Sequence, residues 1–358
     1  MGVDLERLSV LVVEDSPFMS NILSDVVRAI GIGRVMTASD GADAIGLLES
    51  IAVDPLKAGI SVIDAVISDV FMPQVDGYML MRWIRSSTKS PDRFVPTVMI
   101  SGAADADVVA ECRDLGATEF LAKPFSGQTV AEKLLHLIFH PRKFVLAPGY
   151  FGPDRRRTDM FQDLERRSTK KEEIQVVMAD QATRHLRKDA KVIHFEFRNR
   201  LADKVGGYDL KGVPEIDPAI IEEAQQKIAD MAGDYSDWVA NSVRGLSASL
   251  AKLNAGDGDS KALLQRLNSI ALEMRGQGGI FDYPLVTRIG KSLYDATKDA
   301  EMEVTDNHLE FFKAHVDSIG AVINSKMKGD GGDVGRELLK SLQIAKSRFT
   351  GETEEMVR

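Results

Sequence analysis

The stretch DAVISDVFMPQVDG, residues 64–77, decides how the first part of this chain is expected to fold. Residues 64–68 have the Val and Ile content of a short buried strand, and Asp69 follows that strand directly. Four similar runs occur along the chain, and helix-like segments separate all of them. This alternation predicts a doubly wound α/β domain over residues 1–141, with a five-stranded parallel sheet in the order 2-1-3-4-5. The predicted strands are 9–13, 34–37, 64–68, 95–100 and 118–121, and the predicted helices lie near 17–30, 41–52, 77–86, 105–114 and 126–139.

Charged and hydroxyl side chains stand at the carboxyl ends of four of these strands. Glu14 and Asp15 come after the first strand, and Asp69 comes after the third. Ser101 ends the fourth strand, and Lys123 follows the fifth. In a sheet of this order the first and third strands flank the crevice where ligands bind, so we expect the three carboxylates to meet. Each residue alone would more often be a turn former or a solvated charge, and the prediction depends on all of them occurring together.

The predicted cluster has a definite chemistry. Three carboxylates repel one another unless a cation compensates, and Mg²⁺ suits such a site because it takes oxygen ligands and accepts phosphate oxygens. A carboxylate beside a cation can attack phosphorus and form an aspartyl phosphate. Lys123 would supply positive charge to the transferred group, and Ser101 would supply a hydroxyl donor. The residues therefore predict phosphoryl transfer to Asp69.

Four motifs carry a family resemblance over about residues 6 to 140. VVEDS, DVFMPQVDG, MISGAAD and FLAKPF occur in this order, and together they resemble the receiver domain of bacterial two-component response regulators. The resemblance implies that Asp69 accepts phosphate from a histidine kinase or a phosphotransfer protein. It also implies that the backbone carbonyl of Phe71 joins Glu14, Asp15 and Asp69 around Mg²⁺.

The resemblance implies a switch as well. In this family a residue at the position of Ser101 and an aromatic residue at that of Phe120 rearrange on phosphorylation, and Phe120 could equally be a core residue. The Lys123–Pro124 peptide bond is typically cis in such domains. The protein would catalyse only the phosphorylation and the hydrolysis of its own Asp69, and would otherwise not be an enzyme.

The middle of the chain is basic and is predicted to be a linker over residues 142–214. Residues 142–204 hold 16 Lys and Arg against 10 Asp and Glu, a net of +6, whereas the whole chain carries −9. Residues 161–190 are compatible with a helix, and residues 192–197 alternate like a strand. Arg155, Arg156 and Arg157 form either a docking patch for phosphate or carboxylate, a solvated linker, or a contact with the acidic site of the first domain.

Residues 215–350 have helical periodicity and predict an all-α bundle. Its first helix starts at Asp217 and reaches about residue 253, with a kink near Gly233 or Gly245. Further helices are predicted near 260–276, 284–300, 306–327 and 333–349. A protein-binding role is predicted for this bundle, and its long first helix offers a face for a homodimer.

One helix of the bundle ends in R-G-x-G-G and resembles a degenerate histidine phosphotransfer domain. Arg275 and Gly276 correspond to the basic residue and the glycine of that family, but Leu272 stands where its histidine belongs. Leu272 cannot carry phosphate, so Leu272 and Arg275 are predicted to contact a protein partner. His308 and His315 are alternative phosphate acceptors or ordinary surface or core residues, and an unrelated helical module remains the alternative for the whole bundle.

These features predict a response regulator in which phosphorylation of Asp69 switches a helical protein-interaction output. The alternatives are a DNA-binding transcriptional response regulator and a phosphotransfer intermediate that uses a bundle histidine. The net charge of −9 and the lack of a basic recognition helix after residue 215 argue against nucleic acid as a partner. The single cysteine, Cys112, and the lack of a long apolar run suggest a cytoplasmic protein without a membrane partner.

Overall fold

A computed structural model describes residues 3–53, 62–102, 105–155, 174–178, 191–196, 198–207, 214 and 216–350. The chain divides into two compact units, Met1–Lys227 and Ile228–Arg358, and each is described by itself. Among the helices of the described residues, none is both long enough and apolar enough to cross a membrane.

The first unit contains the predicted five-stranded sheet. Its order is β2-β1-β3-β4-β5, and every neighbouring pair is parallel, which confirms the predicted fold. All residues of β1, β3 and β4 are buried, as their Val and Ile content predicts for strands covered on both faces. The strands are β1 Ser9–Val13, β2 Arg34–Ala38, β3 Ala65–Asp69, β4 Thr97–Ser101 and β5 Glu119–Ala122, and the helices are α1 Pro17–Ala29, α2 Gly41–Val53, α3 Gly77–Ser86, α4 Ala106–Asp114 and α5 Gly127–Phe139.

Three of these helices have an N-cap side chain in the loop that precedes them. Ser16 Oγ accepts the N–H of Met19 at the start of α1. Asp76 Oδ1 accepts the N–H of Met79 at 2.8 Å and starts α3. Ser126 forms a capping box at the start of α5. Each cap accepts a hydrogen bond from an amide that has no partner within the first turn of its helix. The caps therefore fix the residue at which each of these three helices begins.

A second sheet follows the first within the same unit, and its four strands lie in the stretch that was predicted to be a basic linker with partial secondary structure. Its order is β7-β6-β9-β8; β6 pairs antiparallel with β7 and β9, and β8 pairs parallel with β9. The predicted strand at 192–197 is confirmed by β9. The predicted helix at 161–190 is wrong for residues 174–178, which form β8, and its other residues lie outside the described ranges. The four strands are β6 Phe144–Ala147, β7 Tyr150–Pro153, β8 Ile174–Met178 and β9 Val192–Glu196.

Aromatic packing fixes this second sheet to the loop before β4. The ring centroid of Phe94 lies 5.2 Å from that of Phe144, 5.1 Å from Phe151 and 5.4 Å from Phe195, each edge to face. Phe144 and Phe195 also belong to a buried apolar cluster of the second sheet. Edge-to-face pairs contribute beyond the area that they bury, so Phe94 holds the two sheets together.

A buried arginine reinforces the same junction. Arg85, near the end of α3, donates from Nε to the carbonyl of Gly116 at 3.0 Å. Its Nη1 donates to the carbonyls of Arg93 and Val95, each at 2.8 Å, and its guanidinium carbon lies 5.1 Å from the centre of the Phe144 ring. Only 3% of Arg85 is exposed. These hydrogen bonds, to loops that are distant from one another in sequence, offset the free-energy cost of burying the guanidinium charge.

Two helices follow the second sheet in the chain. Helix α6 spans Arg200–Lys204, and its Asn199 cap accepts the N–H of Ala202 at 3.0 Å. Helix α7 spans Pro218–Asp230, so it begins in the first unit and ends in the second. The single long helix predicted from Asp217 is thus divided at Met231, close to the predicted kink at Gly233.

The described residues of the second unit are helical, as predicted. Helix α9 begins after Asp259, whose Oδ1 accepts the N–H of Lys261 at 3.0 Å. Helix α11 begins with a capping box in which the N–H of Thr305 donates to His308 Nδ1 at 2.9 Å. The core contains Tyr235, Phe311 and Phe312. The helices are α8 Ala232–Ala255, α9 Ser260–Gln277, α10 Pro284–Ala296, α11 Asp306–Asn324 and α12 Gly332–Thr350, with a short 3₁₀ turn at Gly278–Phe281.

Candidate functional site

Three carboxylates meet at the carboxyl ends of β1 and β3. Ligand oxygens of Glu14, Asp15 and Asp69 all lie within 4.8 Å of one another. Glu14 and Asp69 are buried, and Asp15 is half-buried. The strand order explains this meeting, because β1 and β3 are direct neighbours although 54 residues separate Asp15 from Asp69. The arrangement is the one that the sequence predicts.

Lys123 closes the site from the end of β5. Its Nζ donates to Glu14 Oε2 at 2.8 Å and to Asp69 Oδ2 at 2.5 Å. The Lys123–Pro124 peptide bond is cis, as the resemblance implies. The backbone N–H of Lys123 donates to the carbonyl of Ser101 at 2.8 Å. This hydrogen bond holds the backbone of Lys123 beside the end of β4.

The electrostatics of the cluster follow from its burial. Burial raises the pKa of Glu14 to about 8; the Asp69 carboxylate adds to this rise, and Lys123 opposes it. Burial likewise raises the pKa of Asp15, again with a contribution from Asp69. Burial lowers the pKa of Lys123, but the charges of Asp69 and Glu14 and their hydrogen bonds outweigh it and raise the pKa above its ordinary value. Lys123 therefore stays cationic, and one cation faces three crowded acids.

The cluster fits a hard divalent cation. Its donors are carboxylate oxygens that already lie close together, and one lysine ammonium cannot balance all three of them. Glu14, Asp15 and Asp69 are the side chains that would hold Mg²⁺. The carbonyl of Phe71 as a further ligand stays a prediction; the N–H of Phe71 donates to Asp69 Oδ1 at 3.3 Å. A bound Mg²⁺ would supply positive charge for phosphate oxygens and reduce the repulsion among the acids.

A glycine that the sequence analysis did not single out shapes the loop below Asp69. A Cβ at Gly77 would lie 2.2 Å from the carbonyl oxygen of Asp69, and the N–H of Gly77 donates to the carbonyl of Val70 at 2.9 Å. No side chain fits at this position without moving the end of β3. The signal was present, because Gly77 ends the DVFMPQVDG motif.

The two predicted switch residues occupy different surroundings. Ser101 is fully buried at the end of β4. Phe120 on β5 is half-buried and packs against an apolar cluster that includes Val70 and Met99, which lie next to Asp69 and two residues before Ser101 in the chain. Their rearrangement on phosphorylation stays a prediction.

The basic patch predicted at residues 155–157 does not reach the acidic site through Arg155. The Nη1 of Arg155 lies 3.1 Å from Asp114 Oδ1, at the end of α4, and its guanidinium stacks 3.9 Å from the centre of the Tyr150 ring. Arg155 therefore ties the second sheet to α4. Arg156 and Arg157 lie outside the described residues.

The two predicted interaction residues of the second unit differ in exposure. Arg275 is buried, with its guanidinium carbon 5.4 Å from the centre of the Tyr294 ring, so the structure places it inside the unit. Leu272 is half-buried. A partner contact by Leu272 stays a prediction. Arg275, which was also predicted to contact a partner, is buried.

The two bundle histidines have structural partners. His315 is completely buried; its Nδ1 lies 2.9 Å from the carbonyl of Phe311, and its Nε2 lies 2.9 Å from Ser292 Oγ. His308 uses Nδ1 in the capping box of α11. Both arrangements support the interpretation of these residues as core and cap residues.

The first part of this chain is similar to known proteins. Residues 10–135 match the family Response regulator receiver domain. Chemotaxis protein CheY of Pseudomonas aeruginosa is 26% identical over 127 residues, which cover 36% of this chain and 93% of that protein. The probable transcriptional regulator ycf27 of Guillardia theta is 31% identical over 135 residues, or 37% of this chain, and the chain spans only 47% of that relative. A solved putative response regulator from Chloroflexus aurantiacus has 25% identity over 36% of this chain and 96% of its own, with a TM-score of 0.32.

The sheet order, the acidic cluster and the family match together define residues 10–135 as a response regulator receiver domain. The match indicates a receiver domain of the two-component response regulator type in this part of the chain. The match ends before the second sheet and the helical unit.

Proposed function

We propose that this protein is a phosphorylation-controlled regulator in which Asp69 accepts a phosphoryl group in the presence of Mg²⁺. The juxtaposition of Asp69 with Glu14, Asp15 and Lys123 supports the proposal most strongly. A carboxylate oxygen of Asp69 forms the new bond to phosphorus, and the bond from phosphorus to the donor breaks with its electron pair leaving on the donor. A phosphohistidine of a histidine kinase or phosphotransfer protein is the donor class.

Each neighbour has a separate role in this proposal. Lys123 keeps its proton and balances the charge that the phosphoryl oxygens bring. Glu14 and Asp15 hold the metal, while Ser101 donates a hydroxyl to the transferred group. The chain assists only the phosphorylation of its own Asp69 and the hydrolysis of the resulting aspartyl phosphate. It is not otherwise an enzyme.

Helix α7 offers a route from this site toward the helical unit. The N–H of Gly127, at the start of α5, donates to Gln225 Oε1 at 3.1 Å. A Cβ at Gly127 would lie 2.9 Å from the Cβ of Ala224, so α7 and the start of α5 are in close contact. Only residues 124–126 separate Lys123 from Gly127. A shift of Lys123 toward a phosphoryl group would therefore act on α7 through a very short loop.

We propose that α7 passes the state of Asp69 to the helical unit, whose output is the binding of a protein partner. Two states of the receiver domain would differ in how firmly α7 rests on the start of α5. The relay through a bundle histidine finds no support in the contacts of the described helices, since His308 and His315 have structural roles.

Phosphorylation itself is tested with a small phosphodonor. The full chain is incubated with acetyl phosphate with and without Mg²⁺, and intact mass and base-labile phosphate are measured. One phosphoryl group is expected only with Mg²⁺, and Asp69→Asn should abolish it. The matched control is Asp107→Asn, an exposed aspartate on α4. Equal labelling of Asp69→Asn and wild type would overturn the assignment of the acceptor.

The route through α7 is tested separately by hydrogen exchange. Phosphorylated wild type should show faster amide exchange in residues 218–227 than the unphosphorylated protein. Gly127→Ala should show this faster exchange without phosphate while still accepting phosphate on Asp69. Glu223→Ala, an exposed change on the same helix, is the control. Unchanged exchange in α7 of a protein that is fully phosphorylated would refute the route and leave the acceptor site intact.

A further inference from the structure

The first unit contains a cavity at the end of the parallel sheet opposite to Asp69. Its volume is about 360 Å³. Its walls include residues that precede β3, β4 and β5, namely Ile63, Phe94 and Thr118. Because parallel strands all begin at the same edge of the sheet, this cavity lies at their amino ends, and the carboxylate cluster lies at their carboxyl ends. The cavity is therefore separate from the phosphorylation site.

The cavity has an apolar interior that the second sheet helps to form. Phe144 from β6 and Leu201 from α6 line it together with Phe94 from the loop before β4 and Leu137 from α5. The receiver domain alone would leave this side open, because Phe144 and Leu201 come from the part of the chain beyond residue 135. A cavity of this size, lined by aromatic and aliphatic side chains, is typical of small-molecule sites.

The polar part of the lining is positive. Four basic residues line the cavity against two acids, Asp64 and Asp92. The two acids are occupied: Lys204 Nζ lies 2.6 Å from Asp64 Oδ2, and Arg200 Nη2 lies 3.2 Å from Asp92 Oδ2. The other two basic residues are Arg142 and Arg198.

Arg142 is the cation best placed to select a ligand. It is half-buried; its Nη2 donates to the carbonyl of Asp154 at 2.9 Å, and its Nη1 donates to the carbonyl of Thr118 at 3.3 Å. These two bonds fix the guanidinium plane but use neutral acceptors, and a guanidinium carries five N–H donors. Arg198, by contrast, is largely exposed and lies 2.6 Å from Asp203 Oδ2.

We propose that this cavity binds a small organic anion whose aromatic or aliphatic body packs against Phe94 and Phe144 and whose anionic group meets Arg142. Volume, apolar walls and one fixed cation at the rim together specify this ligand class. Such a ligand would stabilise the junction between the receiver domain and the second sheet, because residues from both form the walls.

The probe for this site is 8-anilinonaphthalene-1-sulfonate, which joins an aromatic body to one anionic group. Titration of the full chain is expected to give a saturable rise in dye fluorescence with one site per chain. N-phenyl-1-naphthylamine has a similar body without the sulfonate, and we expect it to bind about tenfold or more weakly, since a charged hydrogen bond is lost.

Substitutions distinguish this cavity from other apolar surfaces. Val62→Trp places a large ring at the rim and should weaken the anionic dye at least about tenfold. Val176→Trp is the matched control, because Val62 and Val176 are each 48% exposed and Val176 does not line the cavity. Arg142→Gln should weaken the anionic dye about tenfold and leave the neutral dye unchanged.

Three results would overturn the proposal. One is the absence of saturable binding of the anionic dye, and another is equal binding by Val62→Trp and wild type. The third is an equal loss of both dyes in Arg142→Gln, which would show that the guanidinium supports the cavity and does not select an anion.

Discussion

The buried imidazole of His315 gives a quantitative prediction about the helical unit. Its Nδ1 faces the carbonyl of Phe311, which can only accept, so Nδ1 carries the proton and Nε2 of the neutral ring accepts from the Ser292 hydroxyl. The pKa of His315 is lowered to about 4, chiefly by burial; the carbonyl of Phe311 opposes this shift, and the charge of Lys346 contributes to it. The folded unit therefore holds the neutral ring at every pH above that value.

The sign and size of the pH effect follow from this shift. In the unfolded chain His315 takes up a proton below about pH 6.5, whereas the folded unit resists it, so the unfolded state binds more protons between the two pKa values. Stability contributed by the neutral ring is complete above about pH 6.5 and is lost as the pH falls toward about 4. Since each pKa unit corresponds to about 1.36 kcal/mol, the loss between about pH 7.5 and about pH 5 is roughly 2 kcal/mol.

The assay uses the distribution of tryptophans. The chain has two, Trp83 in α3 of the first unit and Trp238 in α8 of the second. In a Trp83→Phe background, urea unfolding followed by Trp238 fluorescence reports on the helical unit alone. The free energy of unfolding is measured at several pH values down to about 5, above the range in which ordinary carboxyl groups protonate. His315→Gln in the same background removes the titrating ring.

The test compares how the free energy of unfolding changes with pH in the protein with His315 and in His315→Gln. We expect the free energy of unfolding to fall by about 2 kcal/mol over this range with His315 and to change little in His315→Gln. Equal slopes would show that His315 is not held neutral in the core. A phosphohistidine at this position would then regain a physical basis, because the ring would be accessible to water and to a phosphodonor.

Three further substitutions test the packing within each of the two units. Arg85→Lys cannot reproduce the forked hydrogen bonds of the guanidinium, and we expect a loss of about 2–4 kcal/mol in urea unfolding followed by Trp83 fluorescence. Phe94→Leu removes three edge-to-face pairs and should cost about 2–3 kcal/mol, with faster amide exchange in β6 and β9. Asn268→Ala removes hydrogen bonds of 2.9 and 3.0 Å to the end of α10 and should cost about 1–2 kcal/mol by Trp238 fluorescence, whereas Ser269→Ala should change little. A loss below about 0.5 kcal/mol in any of the three would contradict its contacts.

The first sheet could be predicted from sequence because its signals are local. Val and Ile runs identify strands that are buried on both faces, and the helices between them force parallel pairing. The second sheet was missed, although one signal was available. Pro148 and Gly149 separate two apolar runs by two residues, and a proline followed by a glycine with a positive φ, here 75°, is the pattern of a type II turn. Read as linker punctuation, the same residues concealed β6 and β7.

Which residues form the acidic site could be predicted from the sequence alone. Glu14, Asp15, Asp69 and Lys123 stand at strand ends, and a parallel sheet brings such ends to one edge whatever the details of packing. Their residue types, three carboxylates and one amine, are the basis on which phosphoryl transfer is proposed. Residue type alone likewise shows that position 272 cannot hold a phosphoryl group, because the side chain of leucine has no nucleophilic nitrogen.

Which of the other charged residues face solvent and which form contacts depends on tertiary packing. Arg155 lies on Asp114 and not on the acidic cluster, Arg275 is buried, and Gly127 contacts a helix 98 residues away. Such positions depend on how distant segments pack, and a basic residue has the same local pattern whether its partner is water, a carboxylate or an aromatic ring. Burial and pairing between distant residues are properties of the packed chain, so they appear only when the elements are assembled.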